Sequence, residues 1–241
     1  MKAVVSTRQD LTKAIDELGL KKGVEIGVFH GEFSEYLLSN SKLEKLWSVD
    51  AWDPHIKGSV FKKWGINNGK LEKAFEDAVR RLDAFGGRST IIRKPSLEAI
   101  SMFADNELDF IYIDASHRFS GVALDLINWW PKLKMGGIFA GHDYWECYRF
   151  EVMEAVNGFL VEHQQVLHLT TDELNNRNQP KYPPTWWTIK EEKTKVQYEA
   201  EVIAAKPVLL ADKAKLLKKG VRVVLPHQYW SAEKEEECEP Q

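Results

Sequence analysis

The stretch Leu108-Asp-Phe-Ile-Tyr-Ile-Asp-Ala-Ser-His117 is followed, after one predicted helix, by Gly136-Gly-Ile-Phe-Ala-Gly-His-Asp-Tyr144. The apolar centre of each stretch is typical of a buried parallel strand that is covered on both faces. Asp114 and His117 come directly after the first strand, and Asp143 comes after the second. Because ligands bind beyond the carboxyl ends of parallel strands, we expect these polar side chains to share one crevice.

Short apolar runs alternate with helical patterns over most of the chain, which predicts an α/β protein with a Rossmann-like, doubly wound sheet. The other predicted strands are 23–27, 45–50, 90–93, 166–169 and 185–190, and the predicted helices are 11–18, 33–40, 71–85, 121–130 and 151–161. Residues 1–195 are predicted to form the main domain. Residues 196–241 are predicted to form a C-terminal extension with an acidic tail, in which 207–210 and 220–225 are candidate strands.

Composition favours a small partner. The chain has 241 residues, 33 basic and 36 acidic side chains and a net charge of -3, which gives no electrostatic reason to expect nucleic acid or an anionic membrane. It has two cysteines, no apolar run of the roughly 20 residues that span a bilayer, and no apolar leader at its amino terminus. We therefore expect a cytoplasmic protein that binds a small molecule, and we leave open a homo-oligomer.

The first predicted strand and its turn carry a candidate cofactor site. Glu25 ends the strand, and Gly27 and Gly31 follow where the backbone must turn tightly and approach a ligand. The second glycine of a dinucleotide fingerprint is missing, and an acid suits a cationic, zwitterionic ligand better than a pyrophosphate. Asp50, after the second strand, is placed to accept hydrogen bonds from a ribose diol. Alternatively, the glycines only form a turn and Asp50 only caps a loop.

These residues resemble those of class I S-adenosylmethionine-dependent methyltransferases. The resemblance lies in Glu25-x-Gly27-x-x-x-Gly31, Asp50, Asp114 and the pair Gly136-Gly137 before the fifth strand, and it covers roughly residues 10–190. It implies the strand order 3-2-1-4-5-7-6 with an antiparallel strand in the last pair.

The resemblance also implies a role for each residue. Glu25, Gly27 and Gly31 would lie around the methionine part of S-adenosylmethionine, Asp50 around the ribose, and Ser96 near the adenine, while Asp114 would border the cofactor. Trp52 either packs on the adenine or anchors a loop.

Where the reaction would take place, Asp114-x-x-His117 and Asp143 resemble the pattern of metal-dependent O-methyltransferases that act on macrolide sugars. They also resemble the pattern of the cephalosporin-hydroxylase-like group. In catechol O-methyltransferase, a more distant relative, a lysine base matches His117. The resemblance implies that Asp114 and Asp143 bind Mg²⁺ or another divalent cation, and that His117 is the general base. This chain departs from the catechol enzyme's Asp-Asn pair, since it has His142 before Asp143.

Structural roles for the same residues stay open. His117 can cap the following helix, Asp114 and Asp143 can be capping acids, and His142 is better explained as a structural hydrogen-bonding group than as a ligand. The expected function is metal-assisted methylation of a hydroxyl on a small molecule, with a sugar preferred and a catechol-type phenol second. The alternatives are a metal-independent methyltransferase and a cofactor-binding scaffold subunit without turnover.

Overall fold

A computed structural model describes residues 3–56, 65–144, 151–170, 183–218 and 225. Its centre is a seven-stranded sheet in the order β3-β2-β1-β4-β5-β7-β6, which confirms the predicted strand order. The strands are β1 (Lys22–Ile26), β2 (Lys45–Asp50), β3 (Ser89–Arg93), β4 (Leu108–Ile113), β5 (Leu133–Gly141), β6 (His168–Leu169) and β7 (Trp186–Ile189).

The direction of pairing brings the functional ends of the strands together. β1 pairs in parallel with β2 and β4, and β4 pairs in parallel with β5, so that Ile26, Ile113 and Gly141 lie at neighbouring positions near the strand ends. All six residues of β4 are buried, as its apolar sequence predicts. β7 is antiparallel to both β5 and β6.

Helices cover both faces of the sheet and enclose two large apolar clusters. They are α1 (Leu11–Glu17), α2 (Glu32–Asn40), α3 (Asn68–Leu82), α4 (Ser96–Ala99), α5 (Phe119–Trp129), α6 (Val152–Glu162) and α7 (Lys195–Lys218). Each predicted helix has a counterpart, whereas the short α4 and the extent of α7 were not predicted. Among the described residues, no helix combines the length and apolar character needed to span a bilayer.

The fifth strand is longer than predicted. Gly136 and Gly137 lie inside β5 rather than before it, at a register irregularity opposite Leu108 and Phe110. Gly136 has φ +79°, and a Cβ on Gly137 would come within 2.7 Å of the Asp109 carbonyl oxygen. The two glycines therefore allow an irregular strand to keep its place beside β4.

The predicted strand over 207–210 is wrong, because α7 runs through it with Pro207 inside the helix. A run of four apolar residues does not distinguish a strand from a helix by periodicity, and its alanine- and lysine-rich surroundings favour a helix. Tyr198, Val202 and Leu209 of α7 are buried in the larger apolar cluster. The candidate strand over 220–225 lies outside the described residues, apart from residue 225.

Candidate active site

One cavity of about 500 Å³ opens at the carboxyl ends of the parallel strands. Its lining includes every predicted site residue except Gly31. Residues 57–64, in the loop after β2, and residues 171–182, between β6 and β7, lie outside the described residues.

Glu25 forms the buried floor of this cavity. Its side chain is at the end of β1 and only 2% of the residue is exposed. Ser34 Oγ donates a hydrogen bond to Glu25 Oε2 and lies 2.6 Å from Ser48 Oγ. Burial raises the pKa of Glu25 to about 8, and the bond from Ser34 opposes this rise only in part. A cationic ligand group beside Glu25 would favour its ionised form.

The two glycines of the first turn serve different contacts. Gly27 has φ +89°, and a Cβ there would overlap the carbonyl oxygen of Asp114. Gly31 has φ +78° and precedes α2, and its Cβ would lie 3.0 Å from Ala78 Cα on α3. Gly27 therefore lets two strand ends approach each other beside the cavity, whereas Gly31 lets two helices pack closely behind the turn.

Asp50 holds the same turn in place. Its Oδ2 accepts hydrogen bonds from the amides of Val28 and Phe29 at 2.9 and 3.0 Å, and its Oδ1 accepts one from the Trp52 amide at 2.8 Å. Asp50 thus caps a loop and also lines the cavity. Trp52 is the loop anchor of the two predicted alternatives, since it is 3% exposed, donates from Nε1 to the Phe29 carbonyl at 2.8 Å and does not line the cavity.

A hydrogen-bonded chain joins Trp129, Ser96 and Asp125, and the last two residues line the cavity. Trp129 Nε1 donates to Ser96 Oγ at 2.8 Å, and Ser96 Oγ donates to Asp125 Oδ1 at 2.5 Å. Burial raises the pKa of Asp125 to about 6, with the bond from Ser96 opposing the rise. The single hydroxyl proton of Ser96 is used in the hydrogen bond to Asp125. Asp125 is therefore the residue of this hydrogen-bonded chain that can accept a hydrogen bond from a ligand.

Asp125 and Arg8 are charged residues that line the cavity and were not predicted as site residues. Asp125 had a detectable signal, because it lies on the face of α5 that buries Val122 and Trp129, where a lone acid is unusual. Arg8 lies in an N-terminal turn with no motif that marks it as a ligand-binding residue.

Asp114, His117 and Asp143 meet at the edge of the cavity. His117 Nε2 lies 2.6 Å from Asp143 Oδ2, and each of the three residues has one ligand atom within 4.8 Å of the other two. His142 Nδ1 lies 3.2 Å from Asp143 Oδ1 and 4.0 Å from Asp114 Oδ2. The contact between His142 and Asp143 fits the role of a hydrogen-bonding group that orients the carboxylate.

The two carboxylates have opposite electrostatic environments. Burial raises the pKa of Asp114; the charge of His142 opposes this rise, and the charge of Asp143 adds to it. Burial also acts to raise the pKa of Asp143, but hydrogen bonds with His117 and His142 outweigh it and hold that pKa well below its usual range. Asp143 has φ +57°, a strained value for an aspartate that is often found at functional sites.

The solved structures that resemble this chain include proteins described as methyltransferases of different kinds. A protein from Clostridium thermocellum that is described as a proposed rRNA methylase has a TM-score of 0.53 at 16% identity, with 78% of this chain and 99% of that chain covered. A proposed caffeoyl-CoA O-methyltransferase from Staphylococcus aureus has a TM-score of 0.54 at 18% identity, with 76% and 82% covered. At these identities the likeness shows the fold alone.

A comparison with curated protein sequences gives no significant match. Residues 24–144, half of the 241-residue chain, match a family model described as a methyltransferase domain. These residues include the turn after β1, the acid after β2 and the exits of β4 and β5 that form the cavity. The chain therefore belongs to this methyltransferase-domain family and is a class I S-adenosylmethionine-dependent methyltransferase.

Proposed function

We propose that this enzyme transfers a methyl group to a hydroxyl of a small molecule in the cytoplasm, assisted by a divalent cation such as Mg²⁺ and a histidine base. A sugar or sugar-containing metabolite is the preferred acceptor, and a catechol-type phenol is second. The observation that carries the proposal is the grouping of Asp114, His117 and Asp143 at the edge of the cofactor cavity.

The proposed cofactor contacts follow the cavity from end to end. Glu25 binds the ammonium group of the methionine part, beside Gly27 and Asp114. Asp50 accepts a hydrogen bond from a ribose hydroxyl through lone pairs that its contacts with the loop do not use. Ser96 acts through Asp125, which accepts a hydrogen bond from the adenine amino group. Gly31 supports the turn through the packing of α2 against α3.

The reaction is an in-line displacement. The acceptor oxygen forms a bond to the methyl carbon while the bond between that carbon and sulfur breaks, and the electron pair stays on sulfur. The acceptor proton leaves to a base. The tasks of the chain are to align oxygen, carbon and sulfur and to take up that proton.

The residues fit a divalent cation by their donor chemistry. Asp114 and Asp143 offer hard oxygen ligands of the kind that Mg²⁺ prefers, and His117 offers a nitrogen within reach of both. A bound cation would lower the pKa of the acceptor hydroxyl. If His117 Nε2 were a ligand, that nitrogen could not also act as the base, so the proposal with a histidine base assigns only the two carboxylates to the cation.

A second mechanism, without a metal, is favoured by the 2.6 Å contact between His117 Nε2 and Asp143 Oδ2. In this arrangement Asp143 Oδ2 pairs with His117 Nε2. The carboxylate then orients the ring and stabilises its protonated form, and Asp114 shapes the site without binding a cation.

The proposal is tested by calorimetric titration with S-adenosylmethionine and then by methyl transfer to sugars, catechols and RNA fragments. Each assay is run after chelation and after Mg²⁺ or Mn²⁺ is restored. We expect cation-dependent transfer to a small hydroxylated acceptor. His117→Ala should lower the rate about 10²–10⁴-fold with cofactor affinity nearly intact. Asp143→Ala should shift the metal titration curve, whereas Asp105→Asn, at an exposed surface acid, should not.

The other outcomes separate the alternatives. Full activity after chelation would favour the metal-independent mechanism, and methylation of RNA alone would contradict the small-molecule acceptor. Cofactor binding without transfer to any acceptor would favour a scaffold subunit. An unchanged rate in His117→Ala would exclude it as the base.

A further inference from the structure

Arg8 is the one lining residue with a guanidinium or ammonium group among the described residues of the cavity. Seven acidic side chains line the same cavity. Arg8 also lies outside residues 24–144, the part of the chain that matches the family model.

The backbone of Arg8 is held by local hydrogen bonds. The turn Arg8–Asp10 has a capping box, in which Asp10 Oδ2 accepts from the Thr7 amide and hydroxyl, both at 2.9 Å, and Thr7 Oγ1 accepts from the Asp10 amide at 3.3 Å. Leu11, the next residue after this turn, is completely buried. Arg8 thus starts from an anchored turn rather than from a loose terminus.

The side chain of Arg8 lies beside Phe33 in the cavity. Its Cζ lies 5.1 Å from the centre of the Phe33 ring, and Phe33 lines the cavity at the start of α2. The positive charge of Arg8 acts on Glu25, where it opposes the rise in pKa caused by burial. The guanidinium therefore lies in the electrostatic environment of the acid at the end of β1, and Asp114 lines the same cavity.

The zwitterionic end of the cofactor explains why a cation is needed among these acids. Its ammonium and carboxylate groups are attached to the same carbon, so a carboxylate enters the site whenever the ammonium binds Glu25. Without a cation, that carboxylate would face Glu25 and Asp114 and be repelled by them. A guanidinium can bind a carboxylate through two parallel hydrogen bonds, and the face of Phe33 would help to orient it.

We propose that Arg8 binds the α-carboxylate of S-adenosylmethionine, and so makes the site selective for a donor that carries both charges. This inference rests on the proposed position of the methionine part beside Glu25. It assigns a binding role to a residue of the N-terminal turn, outside the family domain.

The test compares two ligands that differ only in the carboxylate, S-adenosylmethionine and its decarboxylated form, by calorimetric titration at low salt. We expect Arg8→Ala to weaken binding of S-adenosylmethionine about 10–100-fold, as for loss of a charge-assisted hydrogen bond. Binding of the decarboxylated form should stay the same or become tighter. Arg8→Lys should fall between the parent and Arg8→Ala for S-adenosylmethionine, since it keeps the charge and loses the planar fork.

Lys13→Ala is the matched control, because Lys13 is an exposed cation of the same segment that pairs with Asp10. It should leave both affinities unchanged. Equal weakening of both ligands by Arg8→Ala would overturn the proposal and assign Arg8 a structural role, and no weakening of either would also overturn it. Failure of the parent protein to bind S-adenosylmethionine at all would instead contradict the proposed function.

Discussion

Gly27 shows how one backbone position links two strands of the site. An alanine there would need φ +89°, and its Cβ would overlap the Asp114 carbonyl oxygen. Both the left-handed backbone and the overlap are unfavourable, and the overlap is with backbone that cannot rotate away. The residue therefore sets the distance between the ends of β1 and β4.

We predict that Gly27→Ala lowers the free energy of unfolding by about 3 kcal/mol or more and weakens cofactor binding. Gly19→Ala is the control, since Gly19 has φ +68° and a Cβ added to it would meet no atom within 4 Å. That change should cost about 1 kcal/mol. Urea denaturation of both variants measures the difference, and equal losses would mean that the strand ends can separate without penalty.

The residues that the sequence made predictable are those that follow buried strands. Asp114, His117 and Asp143 stand directly after apolar runs, and parallel pairing alone brings such exits to one edge of a sheet. Arg8 and Asp125 reach the cavity from a terminal turn and from a helix. Their positions depend on how those elements pack on the sheet, which no local spacing encodes.

At the scale of elements, α7 has a buried and an exposed side that neighbouring leucines distinguish. Leu209 is 3% exposed and belongs to the main apolar cluster, whereas Leu210 is 44% exposed. We predict that Leu209→Ala costs about 2–4 kcal/mol of stability, and that Leu210→Ala stays within about 0.5 kcal/mol of the parent. Thermal and urea unfolding of the two variants measure this contrast.

The stability of α7 variants also tests the proposed domain boundary at residue 195. If Leu209→Ala destabilises the whole chain in a single transition, α7 and the sheet unfold as one cooperative unit. A variant that ends at residue 195 would then expose the surface of the core that Tyr198 covers and lose stability. A separate early transition, or equal effects of the two leucine substitutions, would instead indicate an extension that unfolds independently.

Elements were predicted best where periodicity and flanking residues agreed. β2 matches its predicted bounds, Lys45–Asp50, and the first helix differs by one residue at its end. β5 and α7 were not predicted correctly because glycine and proline are poor guides to position. Gly136 and Gly137 support an irregular strand, and Pro207 is accommodated within a helix.

At the scale of the whole molecule, buried acids make stability depend on pH. The pKa of Glu25 is raised to about 8 and that of Asp125 to about 6, so the folded protein holds these protons more tightly than the unfolded chain does. For such groups, the free energy of unfolding falls as pH rises from the unfolded pKa towards the folded pKa. Burial lowers the pKa of His168 to about 4, and this group opposes that trend only below its unfolded pKa of about 6.5.

Between pH 6.5 and 8, Glu25 therefore makes stability fall as pH rises, and the raised pKa of Asp114 acts in the same direction. We predict that the ligand-free protein loses about 2 kcal/mol of stability across this window. Glu25→Gln should remove most of that loss, and Glu162→Gln, at an exposed acid, should not. Saturating S-adenosylhomocysteine should also flatten the dependence, because its ammonium group favours ionised Glu25. Urea denaturation at several pH values measures all four cases, and an equally steep decline in Glu25→Gln would show that another group controls the titration.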